Sequence, residues 1–233
     1  QRTSRDRRNQ NFMTTQEHAG FEAKAILWDF GGIFTGSPFH STDNYAETLG
    51  IARSDLNQLV LGYGIADGDH HWHRLERGEI SMIEAAKESI AAVENAGVKN
   101  FNLQDFFASM GGKNENSEAM FNGVRRYKNL GIKQMILSNN IREFGKTWKP
   151  MLPDGLFDGI IDSSEVGVRK PDPEIFKIAL SKAETLPNQT IFLDDYPEHV
   201  DVAQSLGIIG INVGANPLEA LTELDSLLNV SSS

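Results

Sequence analysis

The chain is built from short apolar runs separated by polar turns, and the spacing of those runs changes along its length. Ala25 to Trp28 is apolar throughout and ends abruptly in Asp29 and two glycines, which predicts a buried strand delivering one carboxylate into a tight turn. From Thr35 to about Asn116 the apolar positions recur at helical spacing and strand character is weak. DNYAETLGI and SDLNQLVLGYG predict two short helices, the second opened by Ser54 and closed near Gly62. A longer helix is expected after Ser81, where Glu84 completes a capping box, and runs to Gly97; LQDFFASMG predicts another. This makes residues 35–116 a helical insertion, bounded by Gly36-Ser37-Pro38 and by the polar stretch Gly111 to Asn116.

From Ser117 helix and strand alternate. NSEAMFNGVRRYKNLG predicts an amphipathic helix, IKQMILSNN a strand ending in hydroxyl and amide groups, and IREFGKTWKPML a helical run. A short strand follows near Gly159 to Asp162, then a helix with Asp172 as cap and Pro173 in its first turn. TIFLDD is a strand ending in two acids, PEHVDVAQSLG a helix, IIGINV a strand and NPLEALTELDSLL a closing helix. Repeated units of this length predict an α/β fold, a Rossmann-like doubly wound parallel sheet with helices on both faces, with its core in residues 21–34 and 117–230. Ligands of such sheets bind beyond the carboxyl ends of the strands.

Composition narrows the function. The 233 residues suffice for a sizeable core, and 39% hydrophobic with 23% charged content is ordinary for a globular chain. A formal charge of -10 disfavours nucleic acid and anionic membrane as partners, and leaves an anionic substrate dependent on local cations or a metal. The absence of cysteine excludes thiolate sites and suits a reducing, cytoplasmic setting. No apolar run reaches the ~18 residues of a membrane span. Residues 1–20 are polar, with Arg2, Arg5, Arg7 and Arg8 and no apolar stretch, and read as a disordered tail, not a secretory signal. Monomer and homodimer both remain open.

Four strand ends or adjoining loops carry polar groups that a parallel sheet brings to one rim: Asp29, Ser138 with Asn139, Lys170, and Asp194 with Asp195. Each alone is an ordinary turn, surface or capping residue. Together, three buried acids with one lysine and one hydroxyl make a site for a divalent cation and a phosphoryl group. In order and spacing, DFGGI, LSNN, GVRKPDPEIF and FLDDYPEHV resemble the four motifs of the haloacid dehalogenase-like hydrolase superfamily, from Ala23 to about Val213. The helical segment sits where that superfamily often carries a cap, and WHRLERGEIS is similar to the cap of a branch that includes the phosphatase domain of soluble epoxide hydrolases.

The resemblance implies a sheet ordered 5-4-1-2-3 and Mg2+-dependent hydrolysis of a small phosphorylated molecule through a phosphoaspartyl intermediate. It makes Asp29 the nucleophile and a metal ligand, Gly31 the donor of a backbone carbonyl to the metal, and Asp195 the other direct ligand, with Asp194 beside it as support or alternate. Ser138 and the Asn139 amide would hold phosphoryl oxygens, and Lys170 would neutralise charge between Asp29 and the phosphate.

One position departs from the pattern. Phosphatases of this superfamily usually carry a second Asp two residues after the nucleophile, to protonate the leaving oxygen; here it is Gly31. Such acid help is typically worth ~10²–10⁴-fold. Three readings follow: a phosphatase that favours leaving groups of low basicity, a 2-haloacid dehalogenase, or a non-catalytic binder of phosphoryl ligands. The paired acids argue against the dehalogenase, as does the lack of any arginine between Arg8 and Arg53. Thr35, His40 and the insertion's histidines are the candidate replacement acids. His70, His71 and His73 read as a surface or substrate-facing cluster, not a metal site. Phe34, Phe39 and Trp72 read as core more readily than as pocket, and Arg125 and Arg126 as solvated charge. Glu165 and Arg169 flank the lysine and could orient it.

Overall fold

Alternation along Ala25–Trp28 (β1) divides the core in two. Ile26 and Trp28 enter one hydrophobic cluster and Ala25 and Leu27 the opposite one, so a fully buried strand must be apolar at every position. The structure, a computed structural model, describes residues 21–36, 42–110 and 115–230. The segment after β1 supplies five helices: α1 (Asp43–Leu49), α2 (Arg53–Leu61), α3 (His71–Glu76), α4 (Met82–Asn95) and α5 (Leu103–Ser109). Then come α6 (Ser117–Asn129), β2 (Lys133–Ser138), α7 (Gly145–Trp148), β3 (Gly159–Asp162), α8 (Ser163–Val166), α9 (Pro173–Ala183), β4 (Thr190–Asp194), α10 (Pro197–Ser205), β5 (Ile209–Asn212) and α11 (Leu218–Leu227). All strand pairs are parallel, in the order β3-β2-β1-β4-β5, which is the expected order read from the other edge.

Helices α6 and α11 cover the Trp28 face of the sheet, and α9 and α10 cover the Leu27 face. Buried polar groups on the first face are paired: the Trp28 indole donates to Gln134 Oε1 at 2.8 Å, and the Tyr127 hydroxyl donates to Asp225 Oδ1 at 2.8 Å. Arg126 joins that second pair, bonding both Asp225 and the Tyr127 hydroxyl. It is therefore a structural partner of a buried carboxylate and not the solvated charge expected, whereas Arg125 does lie exposed beside Glu118.

The five inserted helices have an apolar cluster of their own, with Leu56, Val60, Leu75, Val93 and Phe106 at its centre, which Ile141 of the β2–α7 loop completes. The capping box at Ser81 forms as expected, with Glu84 N–H donating to Ser81 Oγ and Ser81 N–H donating to Glu84 Oε2. α4 ends at Asn95, short of Gly97, and α2 starts at Arg53 from Ala52 with no side-chain cap, so Ser54 does not open it. α3 was not expected, because only Trp72 and Leu75 mark an apolar face in HWHRLE. The run from Arg142 to Met151 is three single turns in place of one helix, the last containing Pro150. No described helix is long and apolar enough to cross a membrane. The segment read as a disordered tail lies outside the described residues.

The histidines correct another expectation. His71 and His73 are buried in α3, and His70 caps it by accepting from Trp72 N–H. Burial, aided by His71, pushes His70 down to about 4; burial, aided by Arg169 and His70, pushes His73 down to about 3. Both are neutral in the folded chain at pH 7, and the unfolded chain takes up protons first, near the ordinary value of ~6.5. Their contribution to stability is thus complete above pH 6.5 and declines as pH falls towards 4. Urea denaturation followed between pH 7.5 and about 4.5 should show this loss, and His73→Gln should weaken the pH dependence in that window.

Candidate active site

The site begins with strand register. Trp28 pairs with Leu193, so Asp29 and Asp194 leave adjacent strands side by side, and Asp29 N–H donates to Leu193 O at 2.9 Å. Two buried carboxylates so placed need a cation between them. Lys170, itself buried, supplies it: Nζ lies 2.9 Å from Asp29 Oδ1 and 2.5 Å from Asp194 Oδ2. The lysine is fixed from β2. Asn139 Nδ2 donates to the Lys170 carbonyl at 2.9 Å, and Lys170 N–H donates to Asn139 Oδ1 at 2.8 Å. The Asn140 backbone N–H in turn donates to Ser163 Oγ at 2.9 Å.

Asp194 is fully engaged. Oδ1 accepts from Tyr196 N–H at 2.8 Å, and Oδ2 meets His199 Nδ1 at 3.0 Å as well as the lysine. Burial works to raise it, but Lys170 and His199 hold it well below the usual carboxylate range. Asp29 goes the other way: burial raises it, Asp194 adds to the rise, and Lys170 only partly opposes. Lys170 is raised, since the two carboxylates outweigh its own burial. Asp195 joins them, and one oxygen from each of Asp29, Asp194 and Asp195 lies within 4.8 Å of the others. Three carboxylates converging beside one ammonium make an all-oxygen donor set, which suits a hard divalent cation.

The two glycines after Asp29 have different duties. Gly32 is left-handed (φ +71°), and a Cβ there would fall 2.2 Å from Asp195 Oδ2, so no other residue fits while Asp195 stays in place. A Cβ at Gly31 would meet only Asp29 Oδ2, at an ordinary 3.6 Å. The fold therefore has room for a larger side chain at the position where an acid is missing.

Ser138, Asn139, Gly31 and Lys170 line one cavity of about 270 Å³ with the three acids. Of the candidate replacement acids Thr35 is in the lining, His70, His71 and His73 are not, and His40 lies outside the described residues. Trp72 belongs to the buried apolar cluster of the insertion, as read, and lines the cavity as well, whereas Phe34 stacks on Phe121 inside the sheet core; Phe39 lies outside the described residues. Glu165 pairs with Lys149, away from the lysine it was expected to orient. Arg169 is buried and reaches into the insertion, with Nε 2.7 Å from Glu76 Oε2 and a guanidinium nitrogen 3.1 Å from Asp67 Oδ1.

Sequence reasoning missed Tyr63, Tyr196 and His199 in the lining. Burial, then the charges of Glu76, Asp195 and Asp29, push the Tyr63 phenol well up, so it stays protonated. The Tyr63 and Tyr196 rings lie 5.1 Å apart, and Gly64 N–H donates to the Tyr196 hydroxyl at 3.0 Å. His199 had a readable signal, lying inside the first turns of the helix that follows the paired acids.

The pattern of the haloacid dehalogenase-like hydrolases matches residues 23–207. The chain belongs to this family. It is 26% identical to the sesquiterpene phosphatase astK of Aspergillus oryzae, over 88% of this chain and 96% of that one. It is 24% identical to a D-ribitol-5-phosphate phosphatase of Bacteroides thetaiotaomicron, over 79% of this chain and 88% of that one. It also matches acyl-CoA dehydrogenase family member 10 of Mus musculus at 27% identity over 95% of this chain, but spans only about 20% of that protein's length. In fold it resembles the HAD family enzyme bt-2542 of B. thetaiotaomicron, solved with magnesium and inorganic phosphate, with TM-score 0.55, 21% identity, 83% of this chain and 96% of that one.

The two glycines make a paired test. Gly32→Ala should destabilise the chain by about 1–3 kcal/mol in urea denaturation, through left-handed strain and the clash with Asp195, whereas Gly31→Ala should stay within about 0.5 kcal/mol of wild type.

Proposed function

We propose that this chain is a Mg2+-dependent phosphatase that hydrolyses a small phosphate monoester through a phosphoaspartyl intermediate on Asp29. The observation that carries the reading is the convergence of three carboxylates, Asp29, Asp194 and Asp195, beside Lys170. Relatives named as phosphatases, and a fold relative solved with magnesium and phosphate, support it.

Asp29, Asp195 and the Gly31 carbonyl would hold the cation, with Asp194 committed to Lys170, His199 and the Tyr196 backbone. Bound Mg2+ supplies the screening that lets an anionic carboxylate approach an anionic phosphoryl group. Ser138 and the Asn139 backbone N–H would receive phosphoryl oxygens, because the Asn139 side chain is spent on the lysine loop. Lys170 would donate to the same group while balancing Asp29. Asp29 would then attack phosphorus as the P–O bond to the leaving group breaks, the departing oxygen would take its proton from solvent, and water would cleave the acyl phosphate, releasing inorganic phosphate and restoring the carboxylate.

Gly31 offers the departing oxygen no proton, so leaving groups of low basicity are favoured. A 2-haloacid dehalogenase needs no such proton, but it has no use for a three-carboxylate cation site. A non-catalytic binder would share the charges and differ only in turnover.

Phosphate release should require Mg2+, rank acetyl phosphate and p-nitrophenyl phosphate above ethyl phosphate, and vanish in Asp29→Asn. Gly31→Asp, for which the backbone has room, should raise turnover of ethyl phosphate by about 10²-fold or more and change acetyl phosphate little. Halide release from 2-haloacids without Mg2+ would reject the proposal, and absence of both activities would favour the binder.

A further inference from the structure

The relatives act on phosphates of very different alcohols, so the organic half of the substrate has to be read from the cavity of this chain. That cavity has a lining of two kinds. Beside the ionic groups Asp29, Lys170, Asp194 and Asp195, its wall is built from Leu61, Trp72, Phe107 and Met110 of the insertion with Phe144 and Trp148 of the sheet unit. We infer that the group esterified to the phosphate is an apolar hydrocarbon, aliphatic or aromatic, and not a polyol, sugar or nucleoside. The inference rests on the phosphatase reading for its phosphoryl end, and on the apolar wall for the rest.

Three observations carry it. First, several polar side chains in the lining already hold bonds within the protein. Glu76 is held by Arg169 and by the Trp72 indole at 3.0 Å, Asn140 Oδ1 accepts from Ile141 N–H, the Tyr196 hydroxyl accepts from Gly64 N–H, and His199 Nδ1 faces Asp194. Hydroxyls of a sugar would give up water to meet these four groups with bonds already made, which disfavours such a ligand. Second, Lys170 is the sole lysine or arginine among the described residues of the lining, and its ammonium serves Asp29 and Asp194. A nucleotide or a second phosphate would find no further cation there.

Third, size and shape fit. A cavity of roughly 150 Å³ holds one benzene, so 270 Å³ takes a phosphoryl group and about six to eight carbons. Phe144, 43% exposed and in the lining, lets a longer chain continue outward over an apolar edge. The insertion thereby acts as the selector: α2, α3 and α5 each place apolar surface over the carboxyl ends of the strands.

The test separates this claim from the phosphatase reading by measuring binding as well as turnover. Alkylphosphonates from methyl to decyl, titrated calorimetrically into the wild-type chain with Mg2+, should gain about fourfold in affinity per methylene up to about octyl and then level off. A polyol phosphonate of equal length should bind no better than methylphosphonate. In parallel, para-alkylphenyl phosphates, whose leaving-group basicity stays constant along the series, should rise in kcat/KM with chain length. Phe107→Ser, at a half-buried position, should flatten both series, and Trp148→Ser serves as the second variant. A flat series, or tighter binding of the polyol, overturns the inference even if small phosphates are hydrolysed. A rising phosphonate series without any phosphate release upholds the apolar site and rejects the phosphatase.

Discussion

Asp29 and Asp194 can leave neighbouring buried strands side by side only with a cation between them, and Lys170 is that cation. Much of the site follows from this contact. The lysine must be fully buried, so its backbone is clamped on both sides by Asn139, whose side chain is then no longer available to a ligand. Asp194 is held by Lys170, His199 and Tyr196, and Asp29 and Asp195 are the carboxylates proposed to hold the cation. Replacing one member would strand the others, since a buried charge without its partner is far more costly than the pair.

The same loop reaches outward. Arg169 precedes Lys170 in the chain and pairs with Glu76 and Asp67 of the helical insertion, so the segment that holds Lys170 also carries the ion pairs to the wall of the cavity. Glu76 is a hub, accepting from the Trp72 indole as well. Position of the insertion and position of the lysine are thus mechanically linked. Arg126 does similar work at the opposite end of the sheet, where it holds α6 to α11 through the buried Asp225.

Much of this was legible in the sequence because it is written locally. A buried strand in a two-sided sheet must be apolar throughout, so AILW and TIFL stand out, and the polar residues that end them mark the rim. Ser81 and Glu84 announce a helix start within four residues. What escaped was written across distance. Arg169 meets Glu76 from 93 residues away and Arg126 meets Asp225 from 99, and no local pattern predicts either pairing. The histidines were misjudged for a related reason: α3 has only six residues, too few for its period to show which side chains point inward. The departure at Gly31 was legible as chemistry, but only the geometry reveals that the position has space for a side chain and that Gly32 has none.

The account stands on Asp29 as a nucleophile that attacks phosphorus beside a bound cation. Mixing the chain with acetyl phosphate and Mg2+, quenching in acid within the first turnovers and mapping the peptides by mass spectrometry tests it directly. The account predicts one added phosphoryl group, lost on treatment with hydroxylamine, on the peptide that contains Asp29, and none when Mg2+ is withheld. Phosphate release under those conditions with the Asp29 peptide never modified, or with Asp29→Asn as active as wild type, would contradict it.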